Sequence, residues 1–376
     1  MTIEWLAGNR IRGTSAEKPV TSLQSPSVGG WVEVGRTTLG SANADILVSS
    51  LPDKRYYMIL YADKGQASNG ADVNIRLNGD TGSNYSYRRC GNGGTDATDV
   101  STSSSYGIWA GSAVQTPIFG VFYLANKSDK EKLWQGNAVT QHTAGAGNDP
   151  ERAELVTKWA NTSSVVSSIT AHGTSNLASG SEVVVLGWDP TDTHTSNFWE
   201  ELASVDTTAA NTVIASFTSK KYLWIQFVSI GCTVASRLAF RVGNSSIDTG
   251  TNYADRRSQN GGADGTDLSG DRVLMDLDVF TTPKFVNIFM VNNSANEKLG
   301  MINLVNQSTA GAGTAPRRAE FVNKWANTSN AINRITTLGS TGNNYASGSE
   351  MVVLGWDDSD THTTNFWEEI GTASGT

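Results

Sequence analysis

Apolar positions along this chain recur mostly with a period of two, and stretches of helical period are scarce. Val73-Asn74-Ile75-Arg76-Leu77-Asn78 alternates strictly, and so does Leu238-Ala239-Phe240-Arg241-Val242, as strands with one buried and one wetted face do. Tyr56 to Tyr61, Ile118 to Leu124, Glu182 to Trp188, Tyr222 to Phe227 and Phe285 to Val291 are short apolar runs bounded by turn residues. Such runs predict central strands covered on both faces. Glycine-rich punctuation at Gly91-Asn92-Gly93-Gly94 and Gly261-Gly262-Ala263-Asp264-Gly265 separates the segments. Arg152 to Trp159 admits two readings: Leu155, Val156 and Trp159 fit a helical stripe behind Asp149-Pro150, while Leu155, Thr157 and Trp159 alternate as a strand would. The strand is preferred.

The pattern also repeats at long range. Residues 177–202 read LASGSEVVVLGWDPTDTHTSNFWEEL and residues 345–370 read YASGSEMVVLGWDDSDTHTTNFWEEI, identical at 20 of 26 positions at an offset of 168. Lys158-Trp159-Ala160-Asn161-Thr162-Ser163 recurs as Lys324-Trp325-Ala326-Asn327-Thr328-Ser329, and Glu131-Lys132-Leu133 as Glu297-Lys298-Leu299, both at an offset of 166. Asp80-Thr81-Gly82 with Asn84-Tyr85 recurs as Asp248-Thr249-Gly250 with Asn252-Tyr253. A repeat of this length is a module with its own core rather than a solenoid unit. The expected fold is all-β: two tandem homologous antiparallel sandwiches of jelly-roll type, residues 31–205 and 206–376. Residues 1–30 have no second copy; they read as an N-terminal arm around the apolar pair Trp5-Leu6.

Composition narrows the function. The 376 residues carry 28 basic and 36 acidic side chains, a formal charge of -8, so no broad basic face is available for phosphates or anionic lipid, and nucleic-acid binding is disfavoured. No apolar stretch approaches the roughly 18 residues of a membrane span, and Met1-Thr2-Ile3-Glu4 does not open a signal peptide, so no membrane insertion is expected. Two cysteines, Cys90 and Cys232, cannot make a disulfide framework and read as buried small hydrophobes.

Candidate chemistry is sparse. The longest repeated element suggests a hairpin of strand Glu182 to Trp188, loop Asp189 to Ser196 and strand Asn197 to Leu202. Its loop gathers Asp189, Asp192 and His194, repeated as Asp357, Asp360 and His362, beside Trp188 and Trp356. Carboxylates and an imidazole on one loop can ligate a divalent cation, although the spacing matches no standard metal loop and the same residues make turns by bonding nearby N–H groups. Trp159, Trp188, Trp199, Trp325, Trp356 and Trp367 are either sugar-stacking platforms or core fillers, with core the preferred reading. Glu200 and Glu201 are adjacent on a strand and point to opposite faces, so they cannot flank one glycosidic bond. No zinc-protease, nucleophile-elbow or phosphate-loop motif occurs, no cofactor is expected, and His142 and His172 have no histidine counterparts in the second copy. Arg88-Arg89 and Arg256-Arg257 either clamp carboxylates of a neighbouring subunit or form a solvated edge.

Leu6-Ala7-Gly8-Asn9-Arg10-Ile11-Arg12-Gly13-Thr14-Ser15, Leu77-Asn78-Gly79-Asp80-Thr81-Gly82-Ser83-Asn84-Tyr85, Lys158-Trp159-Ala160-Asn161-Thr162-Ser163 and Val184-Val185-Leu186-Gly187-Trp188-Asp189 resemble virion-associated proteins of tailed bacteriophages, aquatic ones above all. The resemblance covers nearly the whole chain. It implies a non-enzymatic structural protein located in the virion, a capsid decoration or a tail or fibre component. Its partners would be other virion proteins, and homo-oligomers are expected. The second copy departs from the pattern at Asn244-Ser245-Ser246-Ile247-Asp248, where an insertion precedes the Asp-Thr-Gly. The alternative is a carbohydrate-binding adhesin that recognises host surface glycans through loops at one edge of a sandwich.

Overall fold

A computed structural model describes residues 31–67, 73–92, 99–110, 117–140, 151–189, 199–207, 212–277, 279, 281–339 and 344–357. The N-terminal arm lies outside them. All regular elements among the described residues are strands. In the first module these are β1 (Val32–Thr38), β2 (Asn43–Val48), β3 (Tyr56–Asp63), β4 (Val73–Leu77), β5 (Tyr85–Gly91), β6 (Asp99–Ser104), β7 (Gly107–Ala110), β8 (Ile118–Ala125), β9 (Lys132–Thr140), β10 (Glu151–Trp159), β11 (Ile169–Leu177) and β12 (Glu182–Trp188). The second has β13 (Glu200–Asp206), β14 (Thr212–Ser216), β15 (Tyr222–Ser229), β16 (Leu238–Asn244), β17 (Ser246–Ile247), β18 (Tyr253–Gln259), β19 (Gly265–Gly270), β20 (Val273–Leu274), β21 (Lys284–Val291), β22 (Lys298–Asn306), β23 (Arg317–Trp325), β24 (Arg334–Gly339) and β25 (Glu350–Trp356).

Each module is a two-sheet antiparallel sandwich of jelly-roll type. The first pairs an eight-stranded sheet, β1-β12-β3-β8-β9-β10-β5-β6, with a four-stranded sheet, β2-β11-β4-β7. The second repeats the large sheet strand for strand, β13-β25-β15-β21-β22-β23-β18-β19, opposite β14-β24-β16-β17, with β20 pairing to β16. The ambiguous segment Arg152 to Trp159 is strand, paired on both sides by β9 and β5.

Two expectations are corrected by the pairing. The hairpin does not form, because β12 already has both edges occupied by β1 and β3, leaving β13 no partner there. Strand β13 pairs instead with β25, so residues 200–206 belong to the second sandwich and the join falls before Glu200 rather than at 205/206.

Strand periodicity then explains the continuous apolar runs. In β3, Tyr57, Ile59 and Tyr61 point into the first sandwich, while Tyr56 and Met58 point out of it, and all five are buried. In β15, Leu223, Ile225 and Phe227 fill the second sandwich, and Trp224 and Val228 face outward into the same cluster as Tyr56 and Met58. The large sheets of the two modules therefore pack face to face over part of their outer surfaces. The order is small sheet, large sheet, large sheet, small sheet, with a third core in the middle. Each fully buried large side chain there contributes about 1.5–3 kcal/mol relative to exposure. Gly136 is one position where only glycine fits, since a Cβ there would lie 2.2 Å from the Phe122 ring.

Candidate interaction surface

The repeated motifs build staples within each module. The Asp80 carboxylate follows the β4 turn and accepts hydrogen bonds from the Trp159 indole at 2.6 Å, the Asn84 amide at 2.9 Å and the Gly82 N–H at 2.7 Å. Asp248 does the same in the second module with Trp325 at 2.7 Å, Asn252 at 2.8 Å and Gly250 at 2.8 Å. Partial burial pushes both carboxyls up, but the hydrogen bonds outweigh it and hold them below the usual carboxylate range. The insertion Asn244–Asp248 forms the short strand β17 against β16 and still delivers Asp248 to Trp325. Lys132 and Lys298 secure the same corners by donating to the carbonyls of Asn161 at 3.0 Å and Asn327 at 2.7 Å.

A second set of residues joins the modules. Trp188, fully buried, stacks on Tyr56 at 5.3 Å and donates its indole N–H to Gln226 Oε1 at 2.9 Å. Trp224 lies between Trp31 at 5.2 Å and Phe289 at 5.0 Å, with Tyr123 edge-on at 5.5 Å. Glu350 accepts hydrogen bonds across the seam from the Tyr56 hydroxyl at 2.8 Å and from the Arg55 guanidinium. Burial raises the Glu350 carboxyl despite Arg55, and burial next to Glu350 drives the Tyr56 phenol well above its ordinary value.

At one side, the 307–316 segment of the second module runs over the first. Glu131 accepts from the Gln307 amide and, at 2.6 Å, from the Gly311 N–H. Lys158 donates to the carbonyls of Gln307, at 3.0 Å, and Thr309. Ser86 and Arg88 donate to those of Thr314 at 2.9 Å and Pro316 at 3.1 Å. Burial lowers Lys158 to about 8, an effect Glu131 only partly offsets. Arg88 therefore holds a backbone carbonyl of its own chain, while Arg257 pairs with Asp255 at 2.9 Å.

The loop residues singled out from sequence do not assemble into a site among the described residues. Trp188 is packed in the seam and offers no platform to a sugar, and Trp159 and Trp325 are core as well. The Asp189 carboxylate accepts the Arg55 backbone N–H at 3.1 Å, a long-range contact that ties the end of β12 to the start of β3 rather than the local turn bond expected. Asp192, His194, Asp360, His362, His142 and Trp367 lie outside the described residues, and Asp357 is half-buried at the end of β25. His172 bonds Asp45 at 2.6 Å across the neighbouring strands β11 and β2 of the small sheet. Cys90 and Cys232 are both buried, and among the described residues neither forms a disulfide.

Sequence reasoning did not anticipate a wide groove of about 920 Å³ on the outer face of the second module's large sheet. Phe289, Leu299, Met301 and Val322 form its floor, Trp356 stacked on Tyr222 at 4.9 Å forms one wall, and Leu268 of β19 forms another. The exposed lining is mostly apolar, with Arg256, Thr266, Asn323 and Lys324 among the polar residues beside it. The signal was present in the alternation of β22, where Leu299 and Met301 occupy the face opposite the core positions Ile302 and Leu304.

Architecture and surface together define a tandem β-sandwich with an apolar sheet face left open by the described residues. No family model and no curated protein matches the sequence. Among solved structures, domains LG4-5 of the mouse laminin alpha1 chain align over 87% of this chain and 90% of that one, at 9% identity and a TM-score of 0.20. At that score the likeness bears on neither fold nor function.

Proposed function

We propose that this chain is a non-enzymatic structural component of a bacteriophage particle, a capsid decoration or a tail or fibre-associated protein, acting through protein–protein contacts. The observation that carries the binding role is the apolar groove over Leu299, Met301 and Val322, because exposed contiguous apolar surface on a folded protein marks an interaction site. The motifs around Asp80, Trp159 and Trp188 supply the phage connection through their resemblance to virion-associated proteins. The buried, hydrogen-bonded seam between modules suits a part that bears load rather than one that opens and closes around a substrate. Mass spectrometry of density-purified particles, followed by image reconstruction, tests the reading. Stoichiometric recovery with the chain located on capsid or tail is expected, and its absence from intact particles overturns the assignment.

A second reading, a carbohydrate-binding adhesin for host surface glycans, is favoured by one feature: the stacked Trp356–Tyr222 pair at the groove wall presents aromatic surface of the kind that packs against sugar rings. Glycan-array binding that is lost in Trp356→Ala would support it, and no binding to any host polysaccharide would dismiss it.

A further inference from the structure

The joint between the modules is one-sided. At one end of the sheet, residues that grip the neighbour in the first module are exposed at the equivalent positions of the second, and the reverse holds at the other end, while in the middle Met58 and Trp224, Val184 and Val352, and Leu186 and Leu354 are buried in both. Leu133 and Val156 are 3% and 1% exposed in the seam, whereas their counterparts Leu299 and Val322 are 55% and 52% exposed on the groove floor. Conversely, Phe285 and Val305 are completely buried in the seam, whereas Phe119 and Val139 of the first module are 49% and 43% exposed. The polar contacts follow suit. Glu131 and Lys158 hold the 307–316 segment, while Glu297 and Lys324 pair with each other at 2.9 Å on the surface. Arg88 reaches Pro316, and Arg256 pairs with Asp264 at an exposed site beside the groove.

Each module thus carries a gripping end and a gripped end on its outer sheet face, either side of a shared middle, and the chain leaves one end of each module unused. We infer that the groove on the second module receives the first module of another copy of this chain, through the Phe119 and Val139 end of its large sheet. The intermolecular joint repeats the outer contacts of the intramolecular one, since the middle positions are already buried within the chain. Such a contact is heterologous, so it propagates head to tail, into a ring if the rotation per chain closes and into a filament if it does not. The repeat is not perfect. Leu60 stands where Gln226 accepts the Trp188 indole, so the joint between chains lacks that hydrogen bond and is weaker than the one within a chain. This inference concerns self-association alone: a chain that assembles but is missing from particles overturns the phage assignment and leaves the joint standing.

Analytical ultracentrifugation of the full chain over a wide concentration range tests it, with Met301→Asp spoiling the groove and Phe119→Asp spoiling the opposing end. Both side chains are exposed, so circular dichroism and thermal midpoints should match the parent. The parent is expected to form dimers and larger species as concentration rises, and each variant to stay monomeric. An equimolar mixture of the two variants retains one intact groove and one intact plug, so it should form a dimer and stop there. A parent that remains monomeric throughout overturns the proposal, as does assembly unaffected by either substitution. Assembly abolished by Met301→Asp but untouched by Phe119→Asp also overturns it, by assigning the groove to another occupant such as residues 358–376.

Discussion

Trp188 and Trp356 occupy the same position of a nearly identical motif, yet the fold predicts very different costs for removing them. Trp188 is fully buried, stacked on Tyr56, edge-on to Trp31 at 6.2 Å and hydrogen-bonded to Gln226. Trp188→Ala loses that burial and opens a cavity, which costs about 3–5 kcal/mol. The orphaned Gln226 carbonyl adds about 1 kcal/mol. Trp356 keeps one face towards the groove, so Trp356→Ala forfeits about half the burial and should cost roughly 1–2 kcal/mol. Urea unfolding followed by circular dichroism, at a concentration low enough to keep the chain monomeric, measures the difference. Because the lost contacts couple the modules, Trp188→Ala should also split one transition into two, which calorimetry would register. Equal destabilisation by the two substitutions, to within about 0.5 kcal/mol, would refute the asymmetric seam.

Four further outcomes can be checked. Asp80→Ala or Asp248→Ala leaves a buried indole N–H unpaired and should cost about 1–3 kcal/mol in its own module. Both carboxyls are depressed on folding, so their stabilisation is present above about pH 4. It is lost as acid titrates them, because the unfolded chain takes up protons first; the Asp80→Ala, Asp248→Ala double variant should show a flatter acid limb in melting temperature against pH. Glu350→Ala strands Arg55 and the Tyr56 hydroxyl at the seam and should cost about 3 kcal/mol, whereas Glu350→Gln, still able to accept from Tyr56, should cost less in the same urea titration. Since Asp189 holds the Arg55 backbone N–H, chelation should leave the melting temperature unchanged, and a stoichiometric metal surviving dialysis would contradict that role.

Much of the fold was written in the chain. The offset of 166 to 168 residues announces two modules, and the two-residue alternation of Val73–Leu77 and Leu238–Val242 announces strands, although the face expected to be wetted is buried at Asn74 and Ala239 and half-buried at Arg76 and Arg241. The runs Tyr56–Tyr61 and Tyr222–Phe227 correctly promised cover on both faces, but nothing local says that the second cover is the other module. The hairpin around Asp189 failed for a related reason. A repeated segment read as one unit spans the end of one sandwich and the start of the next, and strand pairing depends on which edges are already occupied. The different fates of Trp188 and Trp356 were illegible because the motif around each is the same, and only the offset packing of the two sheets separates them.

The seam also bears on how the chain is made. Ribosomal synthesis completes the first sandwich while the residues that will cover Tyr56, Leu133 and Trp188 are still to come, the equivalent of Trp188 lying 168 residues further on. At about 5–20 residues per second, that surface stays uncovered for roughly 10 to 30 s on each nascent polypeptide. In a polysome crowded with such half-finished products, premature sticking between neighbours is the hazard, and a holding chaperone would protect the bare sheet until the second sandwich arrives.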